Sequence, residues 1–160
     1  LIAAGITHAL NQHGEKVDAV LHGSFIREPI LAGEKTIADM WAIVPYENRI
    51  VTATLNGEQL MAILQEADSA GGNRRLVGFE IETNEARRVS GARNPDGQPV
   101  APGDQYRIAF NSYDAQSGGR RLPLLREILS RDSSRTIYHE IETRSALTDY
   151  FLDRKSVGTF

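Results

Sequence analysis

The apolar residues of this 160-residue chain change their spacing repeatedly, and that alternation limits the folds open to it. Leu1, Ile2, Gly5, Ile6, Ala9 and Leu10 recur three and four residues apart, which predicts a helix over 1–13 stopped by Gly14. Residues 17–21 form a short β-branched and apolar run that reads as a buried strand. Thr36 can cap a helix carrying Ile37, Met40, Trp41 and Val44, with Asp39 at the capping-box position and Pro45 ending it. Residues 49–55 alternate as a strand, and Asn56 caps a helix whose face is Leu60, Ile63, Leu64 and Ala67. From 70 to 110 strands and turns take over, with strands expected at 76–81, 87–92 and 106–110. Turn chemistry separates the later ones at Asn94-Pro95-Asp96-Gly97 and Pro102-Gly103-Asp104. Helices over 121–129 and 144–152, with a strand over 136–141 between them, close the chain. Helices and strands interleaved early and strands clustered later predict a mixed α/β fold.

Composition narrows the chemistry. A hydrophobic fraction of 41% and a charged fraction of 24% are ordinary for a globular domain. The net charge of −3 offers no bulk attraction to nucleic acid or an anionic membrane, so recognition of an anion has to be local. Absence of cysteine removes disulfides, thiolate catalysis and cysteine-based metal sites. No apolar stretch approaches the roughly 20 residues of a membrane span. Residues 1–10 lack the basic start of a signal peptide, and Leu1 in place of methionine points to a piece of a longer polypeptide.

The sequence is poor in recognisable catalytic machinery. No pair among His8, His13, His22 and His139 has zinc-ligand spacing, and neither a GxSxG elbow nor a GxxxxGK[ST] phosphate loop occurs. Three segments stand out. His22-Gly23-Ser24-Phe25-Ile26-Arg27 follows a buried strand, where Arg27 is either a surface residue of a plain loop or a planar donor for phosphate or carboxylate. Pro45-Tyr46-Glu47-Asn48 connects a helix to a strand, and Tyr46 either covers the core or stacks on a base. The stretch from Asn111 to Arg121 holds Tyr113 and ends in Gly118-Gly119-Arg120-Arg121. It is either a polar surface loop or an anion-favouring helix start.

In this order the segments resemble the C-terminal domain of the 5′-nucleotidase family. The opening Leu1-Ile2-Ala3-Ala4-Gly5 resembles L-I-A-D-A, and His22 to Arg27 resembles N-x-G-G-I-R. Gly33 to Met40 is similar to G-x-I-T-x-x-D-L, and Pro45 to Asn48 to P-F-x-N. Leu55-Asn56-Gly57-Glu58-Gln59-Leu60 follows T-G-x-x-L, and Gly97-Gln98-Pro99-Val100 follows G-x-P-L. Residues 106–113 are similar to Y-x-V-A-x-N-x-Y/F, and 118–121 to G-G-D-G. The resemblance covers about residues 1–121, and less clearly 146–151. It departs at His22, where the family has Asn, and at Arg120, where it has Asp.

The resemblance implies layered helices on a mixed β-sheet, with residues 1–160 forming a substrate-binding domain cut from an N-terminal metallophosphatase domain. That absent domain would hold two divalent metal ions and hydrolyse the phosphate ester, leaving this chain without cofactor, metal or catalytic residues and inactive alone. By position, Arg27 is the anion contact, Tyr46 and Tyr113 sandwich the base, and His22, Gly118, Gly119 and Arg120 complete the substrate contacts. The implied partners are a nucleotide or small phosphate ester and the N-terminal domain, with no nucleic acid and no membrane span. The implied location is periplasmic or extracellular. The alternative is a diverged, non-catalytic binding or interaction module on the same scaffold.

Overall fold

A computed structural model describes residues 1–23, 30, 33–71 and 73–154. The elements run α1 (Ile2–Gln12), β1 (Ala19–Gly23), α2 (Ile37–Ile43), β2 (Arg49–Asn56), α3 (Gly57–Ser69), β3 (Arg74–Val77), β4 (Glu80–Thr83) and β5 (Val89–Arg93). There follow β6 (Gln105–Asn111), α4 (Ser112–Ala115), α5 (Pro123–Leu129), a 3₁₀ turn (Asp132–Ser134), β7 (Ile137–Glu142) and α6 (Thr143–Arg154). Five strands form one sheet in the order β3-β1-β6-β2-β7, and β4 and β5 form a separate hairpin. Only β1 and β6 run parallel in the large sheet; its other neighbours are antiparallel, so it is mixed.

Alternating side chains divide the sheet between two cores. Leu21, Val51, Ala53, Leu55, Ile108 and Phe110 pack on Leu60, Ile63 and Leu64 of α3 and on Leu125 and Ile128 of α5. Their neighbours Val20, Ile50 and Ala109 face α1, α2 and α6 through Ile6, Leu10, Ile43 and Leu147. Helices therefore cover both faces. The expected caps form as boxes: Thr36 accepts from the Asp39 N–H and Asp39 accepts from the Thr36 N–H, and Asn56 and Gln59 do the same at α3.

The strand expected over 76–81 is two strands in two sheets. Gly78, at φ 116, turns the chain between β3 and β4, and a Cβ there would lie 2.6 Å from the Asp18 carbonyl oxygen. Apolar alternation across 76–81 conceals the break, because Leu76 belongs to the sheet and Ile81 to the hairpin. The helix expected from 121 begins at Pro123, which suits a first helical position, because Arg120 just upstream is left-handed.

One polar knot interrupts the α1 side of the sheet. The Arg107 guanidinium donates to Glu15 Oε1 at 2.7 and 2.9 Å, to buried Thr52 Oγ1 at 2.7 Å and to the Arg135 carbonyl at 2.9 Å. His139 Nε2 lies 2.8 Å from Thr52 Oγ1 and 3.1 Å from Glu15 Oε2. Burial alone would raise the Glu15 pKa, but hydrogen bonds from Thr52 and Arg107 and the charges of Arg107 and His139 hold it below the usual carboxylate range. Burial lowers the His139 pKa, helped by Arg107 and His13 and opposed by Glu15.

Gly78→Ala combines a strained left-handed backbone with a steric clash and should cost about 2–4 kcal/mol, lowering Tm by roughly 5–15 °C in thermal denaturation. The polar knot makes stability depend on pH. A group whose folded pKa is depressed binds protons more weakly folded than unfolded, so its contribution to stability declines as pH falls. For His139 the decline begins near its unfolded pKa of about 6.5, and for Glu15 near about 4.3. Chemical denaturation should therefore show stability falling below about pH 6.5, with a shallower slope between about pH 5 and 6.5 in His139→Gln.

Candidate functional site

Sheet topology brings the three singled-out segments to one end of the domain. Parallel β1 and β6 both finish there, at Gly23 and Asn111. Antiparallel β2 starts there at Arg49, next to the Ile50–Asn111 pairing, while β3 starts there at Arg74 opposite Gly23. Connections at strand ends are where side chains can be presented to a ligand without disturbing the ladder. Gly23, the Pro45–Asn48 connection and the segment after Asn111 thus stand at neighbouring strand ends. Arg27 lies outside the described residues; Gly23 is the point from which the chain departs toward it.

A buried ion pair shapes this end. Arg74 Nε and Nη2 both donate to Asp114 Oδ1, at 2.9 and 2.7 Å, and the two side chains are 4% and 3% exposed. Asn111 caps α4 by accepting from the Asp114 N–H at 2.9 Å, while its amide donates to Asp114 Oδ2 at 2.9 Å. Asn73 Oδ1 accepts from Arg74 Nη1 at 3.2 Å. The stretch after Asn111, for which the sequence left open a polar surface loop or an anion-favouring helix start, begins with a pinned one-turn helix. Asn at the cap with an acid three residues on was the local signal for it; Arg74, forty positions away, left no local trace.

The turn after α4 is left-handed at four successive residues: Ser117 (φ 90), Gly118 (φ 54), Gly119 (φ 69) and Arg120 (φ 70). A Cβ on Gly118 would lie 2.7 Å from Arg74 Nη2 and 3.0 Å from Asp114 Oδ1, and one on Gly119 would lie 2.6 Å from the Tyr113 hydroxyl. The two glycines let the backbone fold over the ion pair and against Tyr113. The Arg120 N–H donates to Ser117 Oγ at 3.3 Å, and Arg120 itself is exposed.

The Pro45–Asn48 connection is held from both sides. The Arg49 N–H donates to Ser112 Oγ at 3.1 Å, which links it to α4. The Asn48 carbonyl accepts from Thr143 N–H and Oγ1 at 2.7 and 3.0 Å, and the Val44 carbonyl accepts from Arg144 at 3.1 Å. The Arg144 guanidinium also lies over the Trp41 ring, 3.4 Å from its centroid. Tyr46 and Tyr113 are 59% and 46% exposed, so neither ring is a core residue. His22 is half-buried on β1 and its Nδ1 lies 3.0 Å from the Gly23 carbonyl, which can only accept; Nδ1 therefore carries the proton. Burial lowers its pKa, so it is neutral at pH 7 with Nε2 as an acceptor. No group of three or more His, Asp or Glu placed to hold a metal ion occurs among the described residues.

Comparison with known proteins agrees with this architecture. Residues 1–127 match the family profile described as "5'-nucleotidase, C-terminal domain". A Treponema pallidum protein named "Probable 5'-nucleotidase" is 26% identical over 162 residues, covering 91% of this chain and 25% of its own. The silent protein UshA(0) of Salmonella typhimurium is 28% identical over 103 residues, 62% of this chain and 18% of that protein. The crystal structure of a 5′-nucleotidase precursor from Thermus thermophilus superposes with a TM-score of 0.82 at 21% identity, over 98% of this chain and 32% of that one. This chain therefore spans a third or less of each of these proteins.

Removing either partner of the buried pair leaves an uncompensated charge, so Asp114→Ala and Asp114→Asn should each cost about 3–5 kcal/mol. Tm should drop by on the order of 10 °C. Combining Arg74→Met with Asp114→Leu should recover part of that loss in thermal denaturation. Single variants within about 1 kcal/mol of the parent would show that the pair does not hold this end together.

Proposed function

The chain belongs to the 5′-nucleotidase C-terminal domain family, and we propose that it is the substrate-recognition domain of a phosphohydrolase, binding a nucleotide or related phosphate ester. One observation carries this reading. Two exposed aromatic rings, Tyr46 and Tyr113, stand on adjoining connections fixed by a buried polar framework, beside the strand end that leads toward Arg27. Framework rigidity lowers the entropic cost of ordering the rings on binding. In this reading the rings hold the base, Arg27 grips phosphate or ribose, and neutral His22 and the Gly118–Arg120 turn border the sugar. Hydrolysis belongs to a dimetal centre on an N-terminal metallophosphatase domain, so residues 1–160 act as a recognition domain inactive alone. Without that domain nothing positions water against phosphorus. Periplasmic or extracellular placement is part of the same proposal; no helix among the described residues is long and apolar enough to cross a membrane.

A base stacked on one aromatic ring is worth about 1–3 kcal/mol, so Tyr46→Ala and Tyr113→Ala should each weaken nucleoside monophosphate binding by roughly one to two decades. Their exposure predicts near-parental melting temperatures. Calorimetric titration alongside thermal denaturation reads both quantities. Unchanged affinity in both variants would favour the diverged interaction module, for which the departures at His22 and Arg120 speak.

A further inference from the structure

The left-handed turn at 117–120 opens onto a groove of about 550 Å³ that runs along α5. Ser117, Arg120, Pro123, Arg126, Glu127 and Ser130 line it. Its cations stand out: Glu127 is engaged by Arg131 at 2.7 Å, whereas neither Arg120 nor Arg126 has an ion-pair partner among the described residues. From Ser117 to Arg131 the chain carries four arginines and one acid, within a protein of net charge −3. That makes the groove a local positive region on a negative molecule, which attracts anions selectively to this spot.

The backbone adds a second line of support. Ser117 and Arg120 carry side chains in a conformation that favours glycine, and both line the groove. The Asn111–Asp114–Arg74 framework and the Ser117 hydroxyl hold them there. Arg126 lines the same groove from α5, anchored by the buried Leu125, Ile128 and Leu129 of that helix. Two guanidinium forks lining one groove suit a phosphoryl group, whose oxygens accept several donors at once.

We propose that this groove is a second anion subsite, taking a phosphoryl group at the nucleoside end of the substrate, remote from the ester that is hydrolysed. The substrate class is then a nucleoside bisphosphate rather than a monophosphate. The assignment rests on the reading that a base lies against Tyr113, since Gly119 beside that ring leads directly to Arg120.

Calorimetric titration of the 160-residue chain with adenosine 5′-monophosphate and adenosine 3′,5′-bisphosphate tests it. The bisphosphate should bind about tenfold tighter, the equivalent of one charge-assisted contact. Arg120→Ala and Arg126→Ala should each abolish that advantage, and Arg126→Ala should leave monophosphate affinity unchanged. Equal affinity for the two nucleotides, or an advantage that survives in Arg126→Ala, overturns the subsite. If Tyr113→Ala still weakens the monophosphate in that case, the base-binding reading stands without it. Should neither nucleotide bind, a nuclear magnetic resonance titration with inorganic phosphate decides. Shifts at the Ser117, Arg126 and Ser130 amides that vanish in Arg126→Ala keep the groove and sink the nucleoside reading, and no shifts sink both.

Discussion

The candidate site depends on the pairing of Arg74 with Asp114. Two charges almost wholly removed from water demand close partners, and each finds more than one. Asp114 is thereby fixed to the first residue of β3, and through Asn111 to the end of β6. The turn that follows has to wrap over the pair, which accounts for glycine at 118, while glycine at 119 clears the Tyr113 hydroxyl. Tyr113 and Arg120 take their places on either side of that constraint. A hydrophobic substitute of equal volume could fill the space, but without directional bonds it would not set the course of the backbone so tightly.

The second ring is placed by different means. Tyr46 lies between α2 and β2, and the carbonyls at both ends of its connection are bonded by the first residues of α6. The join between the two ring-bearing segments is the bond from the Arg49 N–H to Ser112 Oγ. Sheet order makes that join possible, since β2 begins where β6 ends. At the opposite end, the Arg107 knot ties Glu15 of the α1–β1 connection to β2, β6 and β7. The candidate site and the Arg107 knot thus occupy separate ends of the sheet.

How much of this was readable in the residues varies with its range along the chain. The caps at Thr36 and Asn56 were legible because each joins positions three residues apart. The parting of β3 from β4 was not, since Gly78 sits inside an apolar run and the close approach that excludes a side chain there comes from the distant Asp18 carbonyl. Helix α4 was hidden by polar composition although Asn111 and Asp114 carry a cap pattern. The Arg74–Asp114 pair was invisible, because two unremarkable residues forty positions apart announce nothing locally. Tyr46 and Tyr113 could be nominated from family resemblance. Whether they belonged to the core or the surface needed the fold, because aromatic side chains serve both places equally well.

We propose that these connections bind a nucleotide between Tyr46 and Tyr113, and a crystal structure of the chain with adenosine 5′-monophosphate decides the matter. The adenine ring should lie between the two tyrosines, with centroids about 4.5–7 Å from each. Its phosphate should point toward the segment that follows Gly23. A nucleotide bound elsewhere on the domain, with the two rings apart and untouched, would contradict it.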